Sequence, residues 1–297
     1  MNYPQPAAVL QLLKPITWFA PMWAFACGAI SAGMPIDGRW LVIAAGVLLA
    51  GPLVCATSQA VNDWYDRHVD AINEPDRPIP SGRIPGRWGL AIGIVWSLLS
   101  LIVAWLIGPW VFVAALVGLA FAWAYSAPPF RLKQNGWFGN AACGFCYEGL
   151  PWFTGAAIMA AGLPDPRILI LAVLYSLGAH GIMTLNDFKA VEGDKELGIR
   201  SLPVQLGVDR SVRLACWIMI VPQIVAVLLL LRWGMPYYAV GICCLIAGQF
   251  ALMPRLLRDP KGQALWYNAT GTSLYVLGML LCAFALNSSP PGTGGSI

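Results

Sequence analysis

Long apolar runs, separated by short segments rich in Pro, Gly and charged residues, dominate the pattern along the chain. Each run is about 17 to 25 residues long, the length that an α-helix needs to cross a bilayer at about 1.5 Å per residue. The pattern therefore predicts nine membrane-spanning helices, at 15–34, 40–62, 87–108, 109–125, 138–162, 166–186, 209–232, 236–256 and 268–287.

The composition supports this prediction. Hydrophobic residues make up 58% of the 297 residues and charged residues only 11%, whereas soluble domains carry about 25% charged residues. We expect an all-α polytopic membrane protein, a single domain over 1–297 with residues 15–287 embedded in the lipid bilayer and 288–297 forming a flexible tail. The same composition excludes a disordered chain and a disulfide-stapled secreted domain, and a net charge of only +4 excludes a nucleic-acid binder.

The distribution of Lys and Arg predicts the orientation. Of 18 such residues, 15 fall in loops on one side of the predicted bundle and three, Arg39, Arg167 and Arg232, on the other. Because cytoplasmic loops carry the excess of positive charge, the N-terminus and the charged loops are predicted to be cytoplasmic.

Acidic residues concentrate on the same side. In the segment that begins Asn62-Asp63, steps of about 100° per residue place Asn62, Asp63, Asp66 and Asp70 within one helix face roughly 100° wide. Hard oxygen ligands of this kind suit Mg²⁺, which binds one or two carboxylates together with phosphate oxygens. We call these four residues the first acidic cluster and interpret them as a metal and diphosphate site; the alternative is a solvated helix end.

A second acidic segment begins with Asn186-Asp187, four predicted helices later. If it is helical, Asp187 and Asp194 lie seven residues apart and share a face; we call this pair the second acidic cluster. The two Asn-Asp segments suggest two weakly repeated halves in parallel orientation around a central cavity. Basic residues near the clusters are of the type that clamps a diphosphate: Arg77, Arg83, Lys189 and Arg200.

Three other positions have two interpretations each. Tyr125, with Arg131 and Lys133, lies in a Pro-containing connection and either contacts a diphosphate or forms an ordinary aromatic-belt turn. Glu148 falls near the middle of a predicted span, where a carboxylate indicates function because its burial is unfavourable. His180 is either a metal ligand or a packing residue.

These segments resemble the UbiA-type intramembrane prenyltransferase superfamily. Its first signature, N-D-x-x-D-x-x-x-D, is matched by Asn62, Asp63, Asp66 and Asp70. Its second motif, D-x-x-x-D, is not matched, because Ala190 stands four residues before Asp194 and Asp187 supplies the other carboxylate. Four stretches are similar to the chlorophyll and bacteriochlorophyll synthase branch: NDWYDRHVDAINEPDRPIPSGRIP (62–85), YSAPPFRLKQNGWFGN (125–140), YEGLPWFTGAA (147–157) and NDFKAVEGDKELGIRSLPVQLG (186–207).

The resemblance implies a Mg²⁺-dependent enzyme, with Mn²⁺ as another possible cofactor, that transfers a geranylgeranyl or phytyl group from its diphosphate. The acceptor is the propionate carboxyl of a chlorophyllide-type macrocycle. It implies the following site residues: Asp66, Asp70, Asp187 and Asp194 as catalytic and metal-binding, with Asn62 and Asp63 also on the metal, and Asn62, Arg77, Arg83, Tyr125, Lys189 and Arg200 on the diphosphate.

The chain has no long N-terminal extension, so a bacterial inner membrane and a bacteriochlorophyllide acceptor are expected, with photosynthetic assembly proteins as possible partners. Three alternatives remain open: a chlorophyll synthase acting on chlorophyllide, an aromatic or quinone-precursor prenyltransferase, and a cation-coupled transporter. A transporter would place carboxylates near the membrane midplane, where only Glu148 falls.

Overall fold

A computed structural model describes residues 3–288 as helices joined by short loops, with one isolated β-bridge between Asn135 and Arg200. The predicted tail lies outside the described residues, apart from Ser288. The α-helices are α1 Pro6–Leu13, α2 Phe19–Ser31, α3 Trp40–Leu48, α4 Ala56–Asn73, α5 Trp88–Ile107, α6 Pro109–Ser126, α7 Gly136–Gly144, α8 Leu150–Ala160, α9 Pro166–Asp187, α10 Val191–Glu196, α11 Leu202–Leu206, α12 Val208–Arg232, α13 Pro236–Arg258 and α14 Pro260–Asn287.

Seven continuous helical stretches in the described part of the chain are long and apolar enough to cross a membrane: Trp40–Asn73, Trp88–Ile107, Pro109–Ser126, Pro166–Glu196, Val208–Arg232, Pro236–Arg258 and Pro260–Asn287. The all-α, multi-pass prediction is therefore confirmed. The count of nine is not confirmed, because the other two predicted runs are not among these seven stretches. One contains α2, which has only 13 residues. The other contains α7, the π turn with Glu148, and α8.

Two π turns interrupt the helices that surround the interior. Leu49–Cys55 joins α3 to α4 and contains Pro52, which has no N–H to donate to the helix. Phe145–Gly149 joins α7 to α8. Such turns insert an extra residue into the helical ladder and are frequent at functional sites. Both turns contribute residues to the same cavity, described below.

The core is centred on α9. Its residues Leu171, Tyr175 and Ala179 are at most 1% exposed and belong to the largest buried apolar cluster, together with residues of α2, α8, α12, α13 and α14. Helices α2 and α8 approach closely: a Cβ on Gly28 would lie 1.9 Å from the carbonyl oxygen of Trp152. Small residues allow this contact, as they do between other membrane helices. The packing of α9 against the surrounding helices fixes where its C-terminal end lies.

Helices α4 and α9 end beside the same cavity; α4 carries the first acidic cluster, and α9 ends at Asp187, the first residue of the second. The sequence predicted a span that stops at residue 62, but the helix continues to Asn73. The whole first acidic cluster therefore lies on one continuous helix, as its predicted common face requires. The second cluster does not, because a 3₁₀ turn, Phe188–Ala190, separates Asp187 from Asp194.

Candidate active site

A cavity of about 760 Å³ opens between α4, α6, α7, α8 and the end of α9. Its size is within the usual range for small-molecule sites. Seven of the predicted site residues line it: Asn62, Asp66, Asp70, Tyr125, Asp187, Lys189 and Asp194. Four others, Asp63, Arg77, Arg83 and Arg200, are not among its lining residues. The fold thus brings the two acidic clusters together around one space.

The opposite part of the cavity is apolar. It is lined by Leu49, Ala50 and Val54 from the first π turn and by the small residues Ala114 and Gly118 of α6. A cavity with carboxylates at one end and aliphatic carbon at the other fits a ligand with an anionic head and a hydrocarbon tail.

Asp66 and Asn62 contact polar side chains from the end of α6 and from the connection that follows it. The Lys133 ammonium forms an ion pair with Asp66, and the Asn62 amide donates a hydrogen bond of 3.2 Å to the Ser126 hydroxyl. Burial lowers the pKa of Lys133, although the Asp66 carboxylate opposes that shift. Lys133 and Arg131 both line the cavity, so this connection places two basic side chains beside the carboxylates of α4.

Asp63 and Asp70 both form ion pairs with the Arg77 guanidinium. Arg77 Nη1 lies 3.0 Å from Asp70 Oδ2 and 3.4 Å from Asp63 Oδ1, and its Nε pairs with Glu74. Lys14 Nζ lies 2.7 Å from the same Asp63 oxygen. Burial lowers the pKa of the Arg77 guanidinium, but the three carboxylates outweigh it and leave that pKa above its usual value. Asp63, only 2% exposed, is thus part of an ion-pair network beside the cavity.

The second acidic cluster has a different environment. Asp187 Oδ2 accepts a hydrogen bond of 3.1 Å from the Asn140 amide of α7, which also donates to the Thr184 hydroxyl at 3.2 Å. Asp194 reaches the cavity from α10, beyond the 3₁₀ turn. One carboxylate at the end of α9 and one on α10 therefore face the same space although they do not share one helix.

The remaining predicted bases point elsewhere. Arg83 donates to Gln11 Oε1 at 2.7 Å and so attaches its loop to α1. Arg200 uses its backbone, donating to the Gln134 carbonyl at 2.9 Å and accepting from the Gly136 amide at 2.8 Å. These two backbone hydrogen bonds attach the loop that carries Arg200 to the connection between α6 and α7, which also carries Lys133. Neither side chain is positioned on the cavity in this structure.

Sequence reasoning missed several polar residues of the cavity wall, among them Gln59, Asn140, Tyr147 and Ser201. Gln59 had a usable signal, since it precedes Asp66 by seven residues and so shares its helix face. Glu148, by contrast, is 5% exposed and is not among the lining residues. His180 is 8% exposed, and its Nε2 lies 3.3 Å from the Trp137 carbonyl oxygen, which supports packing over a metal role.

The carboxylates that line the cavity can serve as Mg²⁺ ligands together with a substrate phosphate, although they do not form a closed metal cage. In residues 3–288, no three His, Cys, Asp or Glu side chains are arranged closely enough to hold a metal ion by themselves. Mg²⁺ does not require such a cage, because it usually keeps several waters and takes one or two carboxylates plus substrate phosphates. Two pairs of carboxylates that face one cavity meet that requirement.

Comparison with known proteins shows the family of the chain. Residues 17–274 match the model of the UbiA prenyltransferase family. The chain belongs to this family. A family member, the bacteriochlorophyll synthase 33 kDa chain of Cereibacter sphaeroides, is 56% identical over 96% of this chain and 94% of that protein. The chloroplastic chlorophyll synthase of Arabidopsis thaliana is 39% identical over 93% of this chain and 73% of that protein.

A solved structure has the same fold. It is that of a UbiA homologue from Archaeoglobus fulgidus bound to DMAPP and Mg²⁺, with a TM-score of 0.68, 20% identity, and coverage of 95% of this chain and 99% of that one. Family membership identifies the chain as a multi-pass prenyltransferase and excludes the cation-coupled transporter.

Proposed function

We propose that this prenyltransferase esterifies the propionate carboxyl of bacteriochlorophyllide a with a geranylgeranyl or phytyl group taken from its diphosphate. One observation carries the proposal: four carboxylates from α4, α9 and α10 line the polar part of a single cavity whose other part is apolar. The polar part suits a metal-bound diphosphate and the apolar part suits a prenyl chain.

In this reaction Asp66, Asp70, Asp187 and Asp194 would hold Mg²⁺, or Mn²⁺ in its place, with Asn62 beside them. The metal supplies positive charge that stabilises the departing diphosphate. Lys133, Arg131 and Lys189 add protein charge to the same end of the cavity. The acceptor needs no protein base, because a carboxylate with a pKa near 4 is already ionised at neutral pH.

The acceptor is assigned from the relatives. The C. sphaeroides bacteriochlorophyll synthase is 56% identical to this chain, against 39% for the plant chlorophyll synthase. The excess of Lys and Arg on one side supports a cytoplasmic N-terminus and a cytoplasmic mouth of the cavity. We place the protein in a bacterial inner membrane and propose photosynthetic assembly proteins as its partners there.

The test uses membranes containing the full-length protein, Mg²⁺, geranylgeranyl diphosphate and either bacteriochlorophyllide or chlorophyllide, with the pigments separated by chromatography. We expect Mg²⁺-dependent ester formation with bacteriochlorophyllide preferred. Membranes carrying an Asp66→Asn variant at equal abundance are the matched control and should form almost no ester. Preference for chlorophyllide would reassign the acceptor, and no ester with either pigment from folded protein would contradict the proposal.

A further inference from the structure

A hydrogen-bonded hydroxyl lies in the cavity wall between the acidic end and the apolar end. Gln59 and Tyr147 both line the cavity, and the Gln59 amide donates a hydrogen bond of 3.0 Å to the Tyr147 hydroxyl oxygen. The Cys55 thiol lies 3.8 Å from the same oxygen, but its single hydrogen has a nearer acceptor, the Thr17 carbonyl oxygen at 3.5 Å.

The hydrogen bonding of the Tyr147 hydroxyl shows which of its atoms can contact a ligand. A phenolic oxygen accepts hydrogen bonds through its lone pairs and donates one through its single hydrogen. Because the Gln59 amide donates to that oxygen, the hydroxyl takes part there as an acceptor, and its own hydrogen can be donated to a ligand. The cavity wall therefore presents one oriented O–H donor at this depth.

The position of Gln59 on α4 locates this donor relative to the acidic cluster. Gln59 precedes Asp66 by seven residues on a regular helix, which places it about 10 Å further into the membrane on the same face. Asn62 lies between them. If the diphosphate is held at Asp66 and Asp70, the first carbon of the prenyl chain follows it inward, next to the level of Gln59 and Tyr147.

The acceptor carboxylate must reach that carbon. We propose that the Tyr147 hydroxyl, held by Gln59, positions the acceptor carboxylate by donating a hydrogen bond to one of its oxygens. This inference rests on the proposed function. The other carboxylate oxygen then supplies the electron pair for the new C–O bond, the C–O bond to the diphosphate breaks with its electron pair on the diphosphate, and the Tyr147 proton stays on Tyr147.

A donor placed in apolar surroundings also contributes to selectivity. A hydrogen bond to a charged group is stronger than one to a neutral group, and the difference grows where water is excluded. In esterification the reacting carboxylate itself accepts the Tyr147 hydrogen bond, whereas in transfer to a ring the reacting carbon cannot accept it. Tyr147 is thus a positioning residue that favours esterification over transfer to a ring carbon.

The test is steady-state kinetics of Tyr147→Phe in the full-length protein. We expect the KM for bacteriochlorophyllide to rise about 10-fold to 100-fold, the effect of one hydrogen bond to a charged group. The KM for geranylgeranyl diphosphate and the slow release of diphosphate without an acceptor should remain within about twofold of the wild type.

Two further variants separate positioning from a structural effect. Gln59→Leu removes the donor that orients the hydroxyl and should raise the same acceptor KM less, while Tyr147→Phe with Gln59→Leu should be no worse than Tyr147→Phe alone. Tyr65→Phe is the matched control, because Tyr65 packs on Trp123 and does not line the cavity. It should leave both KM values unchanged.

The outcomes are distinct. An unchanged acceptor KM in Tyr147→Phe, or a rise confined to the prenyl diphosphate, would overturn the positioning role while wild-type ester formation leaves the proposed function intact. No ester from the wild type would instead overturn the proposed function itself.

Discussion

The two acidic clusters face the same cavity but are compensated differently. In the first, protein cations contact the carboxylates: Lys133 pairs with Asp66, Arg77 contacts both Asp63 and Asp70, and Lys14 pairs with Asp63. In the second, Asp187 receives a hydrogen bond from a neutral amide, Asn140. Desolvated carboxylates repel one another unless positive charge is near. The first cluster therefore carries its own countercharge, whereas the second depends more on charge that arrives with the metal and substrate.

The largest expected effect is the loss of ester formation when a metal-binding carboxylate of either cluster is neutralised. Replacing either Asp66 or Asp187 with Asn removes a carboxylate charge at nearly constant volume, and we expect ester formation to fall at least about 100-fold in each case, as when one electrostatic contact to developing charge is lost. Raising Mg²⁺ should rescue neither fully. Turnover of pigment by membranes of equal protein content is the measurement.

An exposed carboxylate away from the cavity provides the control for this pair. Glu192 pairs with Lys261 on the surface, so Glu192→Gln should keep activity near that of the wild type. Activity above about one tenth of the wild type in Asp187→Asn would show that the second cluster is dispensable and that the comparison has no catalytic meaning.

The neutral partner in the second cluster has the next largest effect. Asn140→Leu removes the amide that orients Asp187, and groups that orient a metal ligand typically contribute 10-fold to 100-fold in affinity or activity. We expect the Mg²⁺ concentration for half-maximal activity to rise by about that factor. Thr184→Val is the matched control, because it removes the other partner of Asn140 and leaves the contact with Asp187. Equal effects of both variants would refute a specific role for the Asn140–Asp187 contact.

Part of this arrangement was predictable from sequence. The spacing of Asn62, Asp66 and Asp70 was sufficient because α4 continues as a regular helix through all three. Asp63 lies at one edge of the same 100° face and Asn62 at the other. The cavity lies on the side of Asn62, whereas Asp63 contacts Lys14. Periodicity gives the angle between residues, but which edge meets the cavity depends on how α4 packs.

The loop bases could not be placed in this way. Arg83 and Arg200 follow the acidic segments in sequence, but their positions depend on contacts with distant elements, namely Gln11 of α1 for Arg83 and the backbone of Gln134 and Gly136 for Arg200. Asn140 gave no signal, since a single Asn in a run of small apolar residues has no period to read. Long-range packing decides each of these positions.

A smaller effect is expected where a protein cation and the metal compete. Lys133 forms an ion pair with Asp66, so Lys133→Met should lower the Mg²⁺ concentration for half-maximal activity several-fold, because Mg²⁺ would no longer compete with an ammonium for this carboxylate. Maximal turnover should still decrease, since Lys133 also faces the diphosphate end of the cavity. Lys261→Met, which loses only the surface pair with Glu192, is the control. A higher Mg²⁺ requirement in Lys133→Met would show assistance rather than competition.

The smallest effect concerns stability and involves Lys14. Lys14→Met leaves Asp63, 2% exposed, with Arg77 alone at 3.4 Å, and an incompletely satisfied buried carboxylate lowers the free energy of unfolding by about 1–2 kcal/mol. Thermal unfolding in detergent measures this change. Adding Asp63→Asn removes the uncompensated charge, so the double variant should recover part of the lost stability. Loss that simply adds would indicate that Lys14 and Asp63 are not coupled, and that the countercharge of the first cluster comes from Arg77 and Lys133 alone.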